Sequence, residues 1–162
     1  FYLNLYFKWD QINGGGSTGS EVYPGLSPAS EPEVRFTSDY ILANKTKIVA
    51  GIDVHTYGEM VLRNYGWTMT PTKDEQKLKR FGDAMARAAQ QVAREPYKSD
   101  RSAGLYPTSG SLDDWFYEKG GFPGFTIEMR DSGNLGFVCP ASYIVPNGNE
   151  LVQAILALIG QL

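Results

Sequence analysis

One histidine, one cysteine and a few carboxylates set among apolar neighbours are the residues of this 162-residue chain with the means to do chemistry. His55 closes the run KIVAGIDVH, with Asp53 two residues before it, and Glu128 lies inside FTIEM. A histidine and a glutamate at neighbouring strand ends can share a metal, or act as ligand and base around it. A lone histidine in an apolar run also serves as a hydrogen-bonded core residue. A carboxylate buried in an apolar strand requires a partner or a purpose, and pairing with an arginine such as Arg130 is the structural alternative. Tyr106, in the loop YPTSGS, is either a mobile cap or a packing residue. Asp113 and Asp114 precede Trp115 at the expected start of a short helix, where negative side chains meet the positive helix end. Two adjacent aspartates point different ways, so one of them can face a pocket.

The elements that must position these residues follow from periodicity and punctuation. The apolar run Lys47 to His55 predicts a strand buried on both faces, and Phe122 to Met129 predicts another. His55 and Glu128 thus fall at strand ends, where open α/β sheets place their chemistry. Ser30-Glu31-Pro32-Glu33 reads as a capping box opening a helix that runs to about Asn44. Thr72-Lys73-Asp74-Glu75 reads as a second box. The helix after it carries Leu78, Phe81, Met85, Ala88 and Val92 on one face and ends near Arg94, before Pro96. Asn147 to Gln161 predicts a third capped helix with Leu151, Ile155 and Leu158 inward. Phe1 to Trp9 is aromatic-rich and reads as a short strand or an extended buried arm. Asn13 to Ser20 is a glycine- and serine-rich loop, and Gly133, Gly136 and Pro140 mark turns. Helices alternating with buried strands indicate an α/β fold, and the length suits one domain spanning residues 1–162.

Composition narrows the function classes. Hydrophobic residues are 42% of the chain, enough for a sizeable core. Fifteen basic against eighteen acidic side chains give a net charge of −3, which argues against general attraction to nucleic acid or acidic membranes. The apolar stretch Leu151 to Leu162 is too short to span a bilayer. A single cysteine, Cys139, excludes an internal disulfide framework and a Cys-cluster zinc site. A single histidine excludes the HExxH motif and any multi-histidine metal site built from this chain alone. The first residue is Phe1, with no basic segment followed by an apolar one. The expectation is a processed, truncated or partly recorded chain from which any signal peptide is gone.

Three stretches together resemble the zinc metallocarboxypeptidases of the carboxypeptidase A and B branch. They are GIDVHTYGEMVL at Gly51 to Leu62, LYPTSGSLDDW at Leu105 to Trp115, and FTIEMRDSGNLGFVCPASYIVP at Phe125 to Pro146. Their order and spacing match that family from Tyr23 to about Leu158. The resemblance implies the C-terminal half of a catalytic domain with a three-layer α/β/α fold, a mixed sheet flanked by helices. It implies one zinc ion with His55 as a ligand, and Glu128 as the catalytic glutamate that activates the metal-bound water. It implies Tyr106 as the tyrosine closing over the substrate and Asp113 as the floor of the side-chain pocket. Thr56 and Tyr57 would line the substrate cleft, and Arg130 and Asp131 would be structural support. Aspartate at position 113 is the B-like pattern, which implies preference for C-terminal Lys or Arg.

The chain also departs from that pattern. It has no HxxE motif for the other two zinc ligands, and Leu3 stands where the family's terminal-carboxylate arginine is expected. The implied partners are peptide or protein C-termini and the N-terminal half of the same catalytic domain, and the implied setting is secreted. Asn44-Lys45-Thr46 is an N-glycosylation acceptor pattern consistent with that setting. The competing reading is a truncated, inactive relic of the fold, acting as a binding or structural domain.

Overall fold

The computed structural model describes residues 4–12, 18–20, 22–131 and 136–162. The readings of Leu3, of residues 13–17 in the glycine-rich loop and of Gly133 lie outside them. The chain is α/β, a mixed sheet with flanking helices, and its contacts fall into two compact units.

The sheet unit comprises Ile52–Arg63, Lys73–Asp100 and Phe125–Leu162. Its strands are β1 (Gly51–Thr56), β2 (Met60–Arg63), β3 (Lys98–Arg101) and β4 (Gly124–Met129), in the order β1-β4-β2-β3. β2 and β4 are antiparallel, with Met60 opposite Glu128 and Val61 opposite Ile127. β4 is buried along nearly its whole length, as its apolar run requires. β1 is shorter than the run Lys47 to His55 and is not buried on both faces: Val54 is 48% exposed. It stands at the end of the strand order, where cover is thinnest. β2 and β3 have four residues each, and KSDR in β3 contains no apolar residue from which a strand could be read.

Two helices belong to this sheet unit and pack against each other. The first, Glu75–Ala93, buries Leu78, Phe81 and Met85 at helical spacing. Burying each such side chain stabilises by roughly 1.5–3 kcal/mol. Val92, expected on the same face, is exposed. The helix stops at Arg94, which adopts a left-handed conformation (φ 59°) and donates its N–H to Gln90 O. The capping box expected at Thr72 does not form, because Arg63 Nη2 binds Glu75 Oε1 at 2.8 Å and engages the box carboxylate. The second helix, Ile144–Ile159, begins three residues ahead of the expected Asn147. Asn147 does not cap it; its Oδ1 accepts from Arg130 Nε at 2.8 Å. The buried face is Glu150, Ala154 and Leu158, with Leu151 and Ile155 half-buried.

The loop unit comprises Phe1–Gly51, Asn64–Thr72 and Arg101–Gly124. Its long helix, Pro32–Asn44, opens on a proline, whose fixed φ and missing N–H suit a first turn. Ser30 does not cap it, since its hydroxyl donates to Glu31 Oε1 at 2.7 Å. Val34 and Ile41 from this helix join Leu112, Trp115, Phe116 and Phe122 in one apolar cluster. Residues 4–9 form bends and turns rather than a strand. They are tied down nonetheless: Leu5 is buried and Trp9 Nε1 donates to Pro24 O at 2.9 Å.

Candidate active site

Within the sheet unit, β1 and β4 are neighbours, and they carry His55 and Glu128 near their ends. Residues two apart on a strand share a face, and Asp53 uses this to reach His55: Asp53 Oδ2 accepts from His55 Nε2 at 2.9 Å. Glu128 is only 9% exposed. Among the described residues no hydrogen-bond donor or cation is paired with its carboxylate. The alternative of an Arg130 partner is not realised, because Arg130 Nη2 lies 2.8 Å from Glu150 Oε1. Burial pushes the Glu128 carboxyl above its ordinary value, the Asp53 charge adds to this, and nearby His55 acts in the opposite direction. Gly58 permits the close passage of chain against the stem of the Glu128 side chain, since a Cβ there would come 3.2 Å from Glu128 Cβ.

Thr56 ends β1, and Tyr57 follows it across a cis peptide bond. Tyr57 is 45% exposed and meets Phe137 edge to face, ring centroids 5.1 Å apart. Arg130 and Asp131 hold the far end of β4. Arg130 reaches Glu150 and Asn147 and lies over the Tyr143 ring, while the Asp131 N–H donates to Glu59 Oε1 at 3.2 Å. Glu150 is fully buried; besides its charge contact with Arg130, its Oε2 accepts from Tyr97 Oη at 2.9 Å.

The remaining expected site residues belong to the loop unit. Tyr106 follows a single helical turn, Ser102–Leu105, and is 51% exposed. The turn Leu112–Trp115 carries both aspartates in its first turn, as the sequence suggested. Both are 1% exposed, yet they differ in their bonding. Asp114 accepts the N–H groups of Gly66 and Trp67 at 3.0 and 3.2 Å, and Asn64 Nδ2 at 3.2 Å. Burial and the neighbouring Asp113 charge push the Asp114 carboxyl up to about 7, against these hydrogen bonds. Asp113 accepts from Ser102 Oγ at 2.5 Å and from the Asp114 N–H at 2.9 Å. Ser102, Asn64 and Glu150 escaped the sequence reading. Each is a polar residue whose role depends on a partner 11 to 53 positions away.

The conditions for a catalytic zinc are three protein ligands around one open position. Among the described residues, no group of three His, Cys, Asp or Glu side chains could hold a metal. His55 therefore does not make a zinc site with the other described residues of this chain.

A zinc carboxypeptidase family model matches residues 3–154. Carboxypeptidase B2 of Mus musculus is 34% identical over 153 residues, covering 93% of this chain and 36% of its own length. Carboxypeptidase B of Astacus astacus is 32% identical, covering 94% of this chain and 51% of its own, and carboxypeptidase A1 of Mus musculus is 34% identical. The structure of bovine thrombin-activatable fibrinolysis inhibitor, in complex with tick carboxypeptidase inhibitor, superposes with a TM-score of 0.92 at 31% identity. That match covers 98% of this chain and 55% of the other. Carboxypeptidase A from Helicoverpa armigera has the same fold, with a TM-score of 0.88. The fold and these matches define a carboxypeptidase-type α/β protein. The chain belongs to the zinc carboxypeptidase family, and it spans about a third of the length of the first curated relatives it matches.

Proposed function

We propose that this chain forms part of a zinc carboxypeptidase that removes the C-terminal residue of peptides or proteins, with a B-like preference for Lys or Arg. The single observation that carries the reading is Glu128, a buried carboxylate near a histidine with no hydrogen-bond partner among the described residues. A structural carboxylate at this depth is normally hydrogen-bonded, as Glu150 and Asp114 are. An unpaired one with a raised pKa retains a lone pair for an incoming proton and works as a general base nearer neutral pH. Glu128 takes a proton from water and passes it to the leaving amine. His55 is a zinc ligand, held through its Nε2 by Asp53. Tyr106 closes over the bound residue, Thr56 and Tyr57 line the cleft, and Asp113 is the floor of the pocket. Zinc, when bound, would polarise the scissile carbonyl; the described residues do not complete that site, so the N-terminal half of the same catalytic domain is the implied partner. The resemblance supports an extracellular setting for the activity.

Carboxypeptidase A and B relatives match at similar identity, so the B-like preference rests on Asp113. The experiment is metal analysis of the purified protein together with release of the terminal residue from peptides ending in Arg or Phe. The 162-residue chain alone is expected to hold less than stoichiometric zinc. A protein that also carries an HxxE segment is expected to bind zinc and release Arg faster than Phe. Stoichiometric zinc on this chain alone overturns the shared-site reading, and no release from the completed protein overturns the enzyme reading. The absence of the other two zinc ligands among the described residues favours one second reading, an inactive binding or structural relic.

A further inference from the structure

We propose that Ser102 is a specificity-positioning residue, whose hydroxyl holds the Asp113 carboxylate in one orientation for the guanidinium of a C-terminal arginine. The proposal rests on the reading of Asp113 as the floor of a side-chain pocket. Ser102 opens a one-turn helix and is buried; its Oγ donates to Asp113 Oδ2, and the Asp114 N–H donates to Asp113 Oδ1. Each oxygen thus receives one donor. A carboxylate offers about four lone-pair sites, so one is left on each oxygen, which is the pattern a planar pair of guanidinium N–H groups matches.

The surroundings are acceptor-rich. Asn64 is fully buried, and its Nδ2 is committed to Asp114 Oδ1. Its Oδ1 has no hydrogen-bond partner, and neither does the buried Ser111 Oγ. Buried polar atoms without partners are costly, and a group with several donors would satisfy them. Gly66 keeps the nest from being filled: a Cβ there would meet Thr108 Oγ1 at 2.6 Å and Ser102 Cβ and Ser111 Oγ at 3.5 Å. An apolar side chain entering this nest would leave the spare lone pairs of Asp113 and the Asn64 and Ser111 oxygens unpaired, and a guanidinium would not.

The test is calorimetric binding of peptides ending in Arg or Phe to this chain, which needs no catalysis. The parent is expected to prefer Arg. Ser102→Ala is expected to weaken Arg-peptide binding about tenfold, the scale of one hydrogen bond to a charged group, and to leave Phe-peptide binding unchanged. In an Asp113→Asn background the same substitution is expected to change nothing further, because the two residues act as a unit. A parent that prefers Arg, with Ser102→Ala binding as tightly, overturns the role of Ser102 and leaves the pocket reading standing. Equal weakening for both peptides overturns it too, in favour of general structural support. A parent that binds neither peptide, or shows no preference for Arg, overturns the pocket reading and this proposal with it.

Discussion

Asp114 of the loop unit and Glu128 of the sheet unit are both buried and are bonded in opposite ways. Asp114 receives two backbone N–H groups and an asparagine amide, whereas Glu128 receives no donor among the described residues. Burial raises both pKa values, so depth alone does not separate a structural acid from a reactive one. The separating feature is hydrogen-bond accounting. A carboxylate that gathers donors from distant segments holds the chain together, and one left unpaired at a strand end is available to a reactant.

Substitutions can break this contrast, beginning with the strongest. Asp114→Ala removes the acceptor for two buried donors and one partly buried donor, and each orphaned buried donor costs about 1–3 kcal/mol. We expect a loss of ~3–5 kcal/mol in urea unfolding, and a loss under ~1 kcal/mol would show that Asp114 is not a structural hub. Glu150→Ala leaves half-buried Arg130 without its counter-ion and Tyr97 without its acceptor. The expected cost is about 3 kcal/mol, typical of breaking a buried pair.

Acidity gives a third handle. Asp114 in the native state keeps its proton to about 7, while in the unfolded chain it releases it near 4. Between those values the native state binds more protons, so stability from this group is complete below about pH 4 and declines as pH rises toward 7. Glu128 and Glu150 are shifted in the same direction. We expect the urea midpoint to be lower at pH 7.5 than at pH 5, and Asp114→Asn to flatten that dependence. A midpoint that climbs over this range contradicts the shifts. The smallest effect is expected at the exposed Lys79–Asp83 pair, one turn apart on a helix. Asp83→Ala should cost no more than ~0.5 kcal/mol.

Much of this was legible in the sequence, for reasons particular residues make plain. The β4 strand and the Glu75–Ala93 helix announce themselves by unbroken apolar character and by helical spacing. His55, Glu128, Tyr106 and Asp113 stand out as polar residues at strand ends or turns. The helix caps were misread because Glu75 and Asn147 are engaged by Arg63 and Arg130, competition that no local pattern reveals. β3 was missed because its four residues carry no apolar signal. The Ser102–Asp113 and Tyr97–Glu150 bonds join segments distant in sequence, so they appear only when the chain is folded.

The central claim, that Glu128, which has no partner among the described residues, is a base and not a brace, is tested most directly by Glu128→Gln in a protein with its zinc site complete. Glutamine keeps the shape and cannot take a proton from water. Turnover of a peptide ending in Arg should fall by about 10²-fold or more, the usual contribution of general base catalysis. Zinc content should hold and the urea midpoint should stay the same or rise, because no hydrogen bond to the carboxylate is lost. Near-normal turnover, or a clear loss of stability with turnover retained, would contradict the claim.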